Sequence, residues 1–309
     1  MSLLTILGLS ILIGVITILT DVREYKMHRD LPIGIFDSGI GGLTVYKELR
    51  QLLPKENIIY FGDTARAPYG SRTKEEICDF VDEIMQLMSL CSIKVGVVAC
   101  NTITVLGTAM LSKNYNFELI GNNTGAVPAL RDSKSKRIGV IATETTIASG
   151  KHRADILALD SRAVVFPRAC PLFAQLIEAG SLEGDELRQA AYHYLTPLKE
   201  ANIDTLILAC THYPYITLLL QEVMGEEVVI IDPAVETARQ VQDYLAENNG
   251  LKINGEGSSH LYFSNRPEQV RDITGKFFDT TKCEFRLLDI TPLARYYANN
   301  LSANASYLG

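Results

Sequence analysis

Residues 94–102 read KVGVVACNT, and residues 204–212 read DTLILACTH. Each is an apolar run of strand length that ends in Ala-Cys and passes into two polar residues. A run without polar alternation belongs to a parallel sheet covered on both faces. Working outward, further Val/Ile-rich runs at 32–36, 57–61, 117–121, 137–142, 162–166, 227–231 and 260–263 join those at 94–99 and 204–209 as expected strands. Amphipathic patterns near 42–52, 73–90, 103–112, 184–200, 233–248 and 266–276 read as helices between them. This alternation predicts an α/β protein of doubly wound parallel sheets.

In such sheets ligands bind beyond the carboxyl ends of the strands. Cys100 and Cys210 are both expected there, near the start of a following helix whose backbone N–H groups can depress a thiol pKa below about 8.5. A free cysteine is often only a small buried hydrophobe. A core thiol, however, gains nothing from being followed each time by hydrogen-bonding side chains at a strand end. The duplicated context therefore predicts two similar halves, each offering one thiol to a shared cleft. Taken alone, two thiols in a cleft also permit a disulfide or a metal site, with His212 the one obvious extra ligand.

The chain has 309 residues, 47% of them hydrophobic, enough for two ordinary domains or one large one. A net charge of −7 and the lack of any Lys/Arg-rich stretch argue against a nucleic-acid partner and for a small-molecule one. Six cysteines without a Cys-x2-Cys pair suit neither a disulfide framework nor a zinc ribbon, so reduced thiols in a cytoplasmic protein are the default. Met1 to Thr20 carries no charge and would span roughly 30 Å as a helix. Residues 1–30 are thus an apolar extension. Either residues 3–19 contact a membrane, with Arg23, Lys26 and Arg29 leaving the rest on the cytoplasmic side, or translation begins at Met27. A cleaved signal peptide fits least, for want of a basic n-region and a clear cleavage site.

Two more strand ends carry unusual residues. FDSGIGG at 36–42 places an acid and a glycine turn after the first strand; Thr44 stands where a dinucleotide fingerprint needs its third glycine, which argues against NAD. GDTARAPYG at 62–70 could offer backbone N–H groups and a phenol to a carboxylate.

FDSGIGG, GDTARAPYG, ACNT at 99–102 and ACTHYP at 209–214, in that order, resemble the glutamate racemase family, whose members supply D-glutamate for peptidoglycan and so for cell-wall biogenesis and cell shape. The resemblance runs from residue 32 to about 290. IGVIAT at 138–143 with Thr146 and Ser149, CPLF at 170–173, and LIE at 176–178 ahead of Gly180 agree with it. It implies an isomerase that needs neither cofactor nor metal, built as two doubly wound domains with the site between them. It implies Cys100 and Cys210 as the acid/base pair, Asp37 assisting near Cys100 and His212 near Cys210. Asp37, Ser38, Tyr69, Gly70, Asn101, Thr102, Thr211 and His212 would hold the substrate, and the assembly would be a homodimer. The chain after about 231 is expected to return to the first domain, giving residues 31–125 plus 231–309 as one unit and 126–230 as the other. GNNTGAVPAL at 121–130 and His152, where tyrosine is common, depart from the family pattern. Alternatives are a racemase for another acidic amino acid such as aspartate, or a two-domain amino-acid-binding protein without chemistry.

Overall fold

The computed structural model describes residues 28–111, 115–281 and 283–290. The apolar extension up to Met27, the last residue of the helix expected at 103–112 and the chain beyond Ile290 lie outside them. No helix among the described residues is long and apolar enough to cross a membrane.

Among the described residues ten strands form two sheets. The first four are β1 (Ile33–Asp37), β2 (Ile58–Gly62), β3 (Val95–Val98) and β4 (Glu118–Gly121). The next four are β5 (Arg137–Ala142), β6 (Val164–Ala169), β7 (Thr205–Ala209) and β8 (Val229–Ile231), followed by β9 (Ser259–Phe263) and β10 (Glu284–Leu287). One sheet has the order β10-β9-β2-β1-β3-β4, the other β6-β5-β7-β8, and every pairing is parallel. The two-domain α/β architecture follows from this division.

Helices cover both faces. In the first sheet alternate residues point opposite ways. Ile33, Ile35, Val95 and Val97 pack with Leu43, Tyr46 and Leu49 of α1 (Leu43–Leu52) and with Val241 and Leu245, while Phe36 and Val98 pack with Ile77, Val81, Ile84 and Met88 of α2 (Lys74–Leu90). Because both faces are covered, β1, β3 and β7 are buried at every position, which is why they read as unbroken apolar runs.

α3 (Asn101–Leu111) starts two residues earlier than its apolar pattern suggests, so Asn101 and Thr102 lie in its first turn rather than in a preceding loop. Five helices escaped the sequence reading. They are α4 (Ala126–Asp132), α5 (Glu144–Ser149), α6 (Lys151–Leu159), α7 (Pro171–Glu178) and α9 (Thr217–Met224), each of three turns or fewer and too short for a strong periodic pattern. The remaining helices are α8 (Asp185–Glu200), α10 (Ala234–Glu247) and α11 (Pro267–Gly275). The strand expected at 162–166 lies at Val164–Ala169 and keeps Pro167, which an edge strand tolerates.

The unusual segment after β4 is stitched to α10. The Thr237 hydroxyl donates to Asn122 Oδ1 (2.5 Å) and accepts from the Asn123 N–H (2.8 Å), while Asn123 Oδ1 accepts from the Gly125 N–H (2.7 Å).

His152, the other departure, is buried on α6 beside a cavity of about 50 Å³ lined by Val140, Thr146, Val165 and Pro167, and its Nε2 has no partner. Burial, opposed by Asp155 and reinforced by Lys151, pulls its pKa down to about 4. Between an unfolded value near 6.5 and that value, the unfolded chain binds a proton that the folded one refuses. Stability is therefore lost as pH falls through this window, by up to about 3 kcal/mol. Urea midpoints measured at pH 7 and pH 4.5 should fall more steeply in the native protein than in His152→Phe; equal slopes would remove His152 as the cause.

Candidate active site

The strand order places the functional loops. In the first sheet the chain runs outward in opposite directions on the two sides of the β1/β3 pair, and in the second it does so on the two sides of β5/β7. At such switch points the loops diverge and leave a crevice beyond the strand ends. β1 ends in Asp37-Ser38 and β3 in Cys100; β5 ends in Thr143 and β7 in Cys210. Both thiols thus stand at a switch point, one per sheet.

The two crevices face each other. Every site residue singled out from the sequence, Asp37 excepted, lines one pocket: Ser38, Tyr69, Gly70, Cys100, Asn101 and Thr102 from one side, Cys210, Thr211 and His212 from the other. Its free space is about 10 Å³, about the room that one water requires. An amino acid therefore enters only when the walls move outward.

All six cysteines are free thiols. Among the described residues no three His, Cys, Asp or Glu side chains converge as a metal site would need. Cys100 lies 3.6 Å from the Ser38 hydroxyl and accepts from the Ile103 N–H in the first turn of α3. The helix terminus was expected to lower this thiol's pKa; instead burial, aided by the Asp37 charge and only partly offset by those two hydrogen bonds, pushes it up to about 12. The charge of Cys210 also acts on Cys100 across the pocket. Behind Cys210 comes not an α-helix but the 3-10 turn Tyr213–Ile216. Its sulfur lies 3.7 Å from His212 Nδ1, and His212 Nε2 meets Glu178 Oε1 at 2.6 Å. Burial works against a charge on His212, yet its hydrogen bonds to Cys210 and Glu178 and their charges prevail and hold its pKa well above 6.5.

Asp37 stands behind the pocket wall, fully buried. It accepts from the Gly39 N–H (2.9 Å) and, across the lobes, from the Thr211 hydroxyl (3.1 Å). Burial raises its pKa, against the opposing pull of His212. The Tyr69 phenol is not offered to a ligand as the sequence suggested, because it donates to Asp63; only the loop's backbone remains for that purpose.

Sequence reasoning gave no role to Thr143 or Glu178. Thr143 lines the pocket and shares a hydroxyl hydrogen bond with Thr102 (3.0 Å). Glu178, at the end of α7, joins His212 to the Ile40 N–H (2.8 Å). The glycines 39 and 41 make that meeting possible. A Cβ on Gly39 would fall 1.8 Å from Glu178 Oε1, and one on Gly41 would fall 2.4 Å from Thr211 Oγ1 and 2.6 Å from His212 Nδ1. Close approach of the second lobe, rather than a turn alone, accounts for Gly39 and Gly41, while a Cβ on Gly42 would fall 2.6 Å from that of Asp37 in its own lobe.

Residues 33–241 match the sequence pattern of the Asp/Glu/Hydantoin racemase family. The chain belongs to this family. The racemases similar to it include the glutamate racemase of Lysinibacillus sphaericus, 40% identical over 234 residues that make up 75% of this chain and 88% of the relative. The crystal structure of a glutamate racemase isoform from Bacillus anthracis superposes with a TM-score of 0.77 at 34% identity, over 85% of this chain and 99% of that one. The Francisella tularensis glutamate racemase in complex with D-glutamate does so with a TM-score of 0.76 at 32% identity, again over 85% and 99%. The protein is thus an isomerase of the racemase family, as its four strand-end motifs indicated.

Proposed function

We propose that this protein interconverts L- and D-glutamate by two-base proton transfer, without a cofactor, and so supplies D-glutamate for peptidoglycan precursors. The observation that carries the proposal is the pair of thiols, one from each sheet's switch point, sharing a single closed pocket. Racemisation removes the Cα proton from one face and returns one to the other, which one base cannot readily do. Two sulfurs serve if one is thiolate while the other is thiol, with their states exchanged in each turnover. In the resting pocket burial favours Cys100 as the thiol, and the imidazolium of His212 sets a cation against Cys210, the partner that would carry the negative charge before the first transfer. The two protonation states belong to the pair as a unit.

In this reading Ser38, the Tyr69-Gly70 backbone, Asn101, Thr102, Thr211 and His212 hold the amino group and carboxylates. Asp37 manages charge and lobe contact behind them. The buried Nδ2 of Asn101 has no partner, a penalty of about 1–3 kcal/mol that a bound carboxylate would relieve. The relatives' substrate and the polar lining support glutamate; aspartate is the alternative within the same chemistry. Residues 31–125 plus 231–309 would form the lobe that carries Cys100, and 126–230 the lobe that carries Cys210. A cytoplasmic homodimer is the assembly expected.

The deciding test is incubation of the purified, reduced protein with L-glutamate in deuterium oxide. D-glutamate carrying solvent deuterium at Cα is expected. Uptake with aspartate alone would reassign the substrate, and no uptake with either would leave a binding protein.

A further inference from the structure

We propose that Asp63, backed by Arg66 and Ser264, is a positioning residue for substrate binding that acts through the Tyr69 hydroxyl to hold the Tyr69-Gly70 backbone at the pocket. The inference rests on the two-base racemase reading and deepens it.

Asp63 is fully buried just past the end of β2. Its Oδ2 receives the Tyr69 hydroxyl and Arg66 Nε (2.5 Å), and its Oδ1 receives the Ser264 hydroxyl (2.8 Å). Arg66 is pinned in turn: Nη1 reaches Glu83 Oε2 at 2.6 Å, and the guanidinium lies 4.1 Å from the centre of the Phe80 ring. That ring stands 5.3 Å from the ring of Tyr69, which closes a circuit around the loop. Ser264 adds a second tie by accepting from the Ala65 N–H (2.8 Å). It lies beyond residues 33–241 that match the family pattern, in the segment that follows β9.

On its other face the same loop meets the second lobe. The Thr145 hydroxyl donates to the Gly70 carbonyl (3.3 Å), and a Cβ on Gly70 would fall 2.7 Å from Thr143. The loop backbone therefore sits between a charged anchor behind and the closing lobe in front, with no slack at Gly70. A shift of a few tenths of an ångström is felt at the pocket. Hydrogen bonds to a buried charge are the strong, directional kind that can set such a position. No atom of Asp63 lines the pocket, so its influence on substrate passes through Tyr69.

The test measures kcat and KM for both glutamate enantiomers in Tyr69→Phe, Asp63→Asn, Arg66→Gln and Arg66→Lys, with melting temperatures alongside. KM is expected to rise about tenfold in Tyr69→Phe, the loss of one charge-assisted hydrogen bond, with kcat within about twofold. Asp63→Asn should do the same, and the double variant should be no worse than Asp63→Asn alone. Arg66→Lys should recover part of what Arg66→Gln loses. An unchanged KM in Tyr69→Phe, or a lower melting temperature with KM unmoved, would overturn the assignment and leave a scaffold role. Failure of the native protein on both glutamate and aspartate would strike the racemase reading itself, and the native control tells the two failures apart.

Discussion

Replacing Cys100 or Cys210 with serine is expected to lower racemisation by about three orders of magnitude or more in both directions, the scale of a lost general acid or base. Each substitution is nearly isosteric. Each exchanges a sulfur that can hold either a proton or a charge for a hydroxyl too weakly acidic to take part. In the proposed two-base mechanism both sulfurs take part in every turnover, whichever enantiomer enters, so neither variant should keep one direction. The equilibrium ratio stays at unity, since a catalyst cannot move it. Cys170→Ser is the control. That thiol is fully buried, its pKa is raised by burial, and it contacts the Arg168 carbonyl at 3.7 Å outside the pocket. It should remain active. Polarimetry under reducing conditions checks all three, and native-like turnover in Cys100→Ser or Cys210→Ser would end the two-base proposal.

The largest stability effect is expected at the opposite end of the same strand. Lys94, 1% exposed, donates to the Arg29 carbonyl (2.8 Å), the Gly250 carbonyl (2.8 Å) and Glu56 Oε2 (2.5 Å). Glu56 Oε1 accepts from the Lys252 N–H (2.7 Å). The cluster ties the segment before β1 and the return loop after α10 to the amino ends of β2 and β3. Lys94→Met would keep the apolar stem but strand a buried carboxylate, which typically costs about 3–5 kcal/mol. Urea unfolding should show the loss as a lower midpoint at unchanged slope. Lys94→Met/Glu56→Met should recover most of it, because the uncompensated charge is then gone. A double variant as unstable as the single would show that the ammonium's bonds to the two carbonyls matter more than the ion pair.

Much of this was written locally. Strands buried on both faces must be apolar throughout, so β1, β3, β5 and β7 stand out in the sequence, and the helices at 43–52, 74–90, 185–200 and 234–247, of 10 to 17 residues, repeat their apolar positions often enough to be seen. β10, with only Phe285 buried of four residues, carries no such pattern and was missed. The thiols were legible because their context occurs twice, and the four motifs carried the family.

The rest depends on atoms that approach only after the sheets have closed on each other. Glu178 meets Ile40 across 138 positions, and Ser264 meets Asp63 across 201. Nothing at either end of those spans announces the other. Even the Cys100 pKa was misjudged, because the helix terminus is a local feature while the burial that outweighs it comes from the whole fold. The sequence by itself determined the parallel α/β elements, the pairing of the two cysteines and the family, since each is encoded in short-range periodicity or in contiguous motifs. Only the tertiary structure decided which charges face those thiols, what the glycines make room for and what holds the loop at 62–70, because these are distances between segments that the chain brings together by folding.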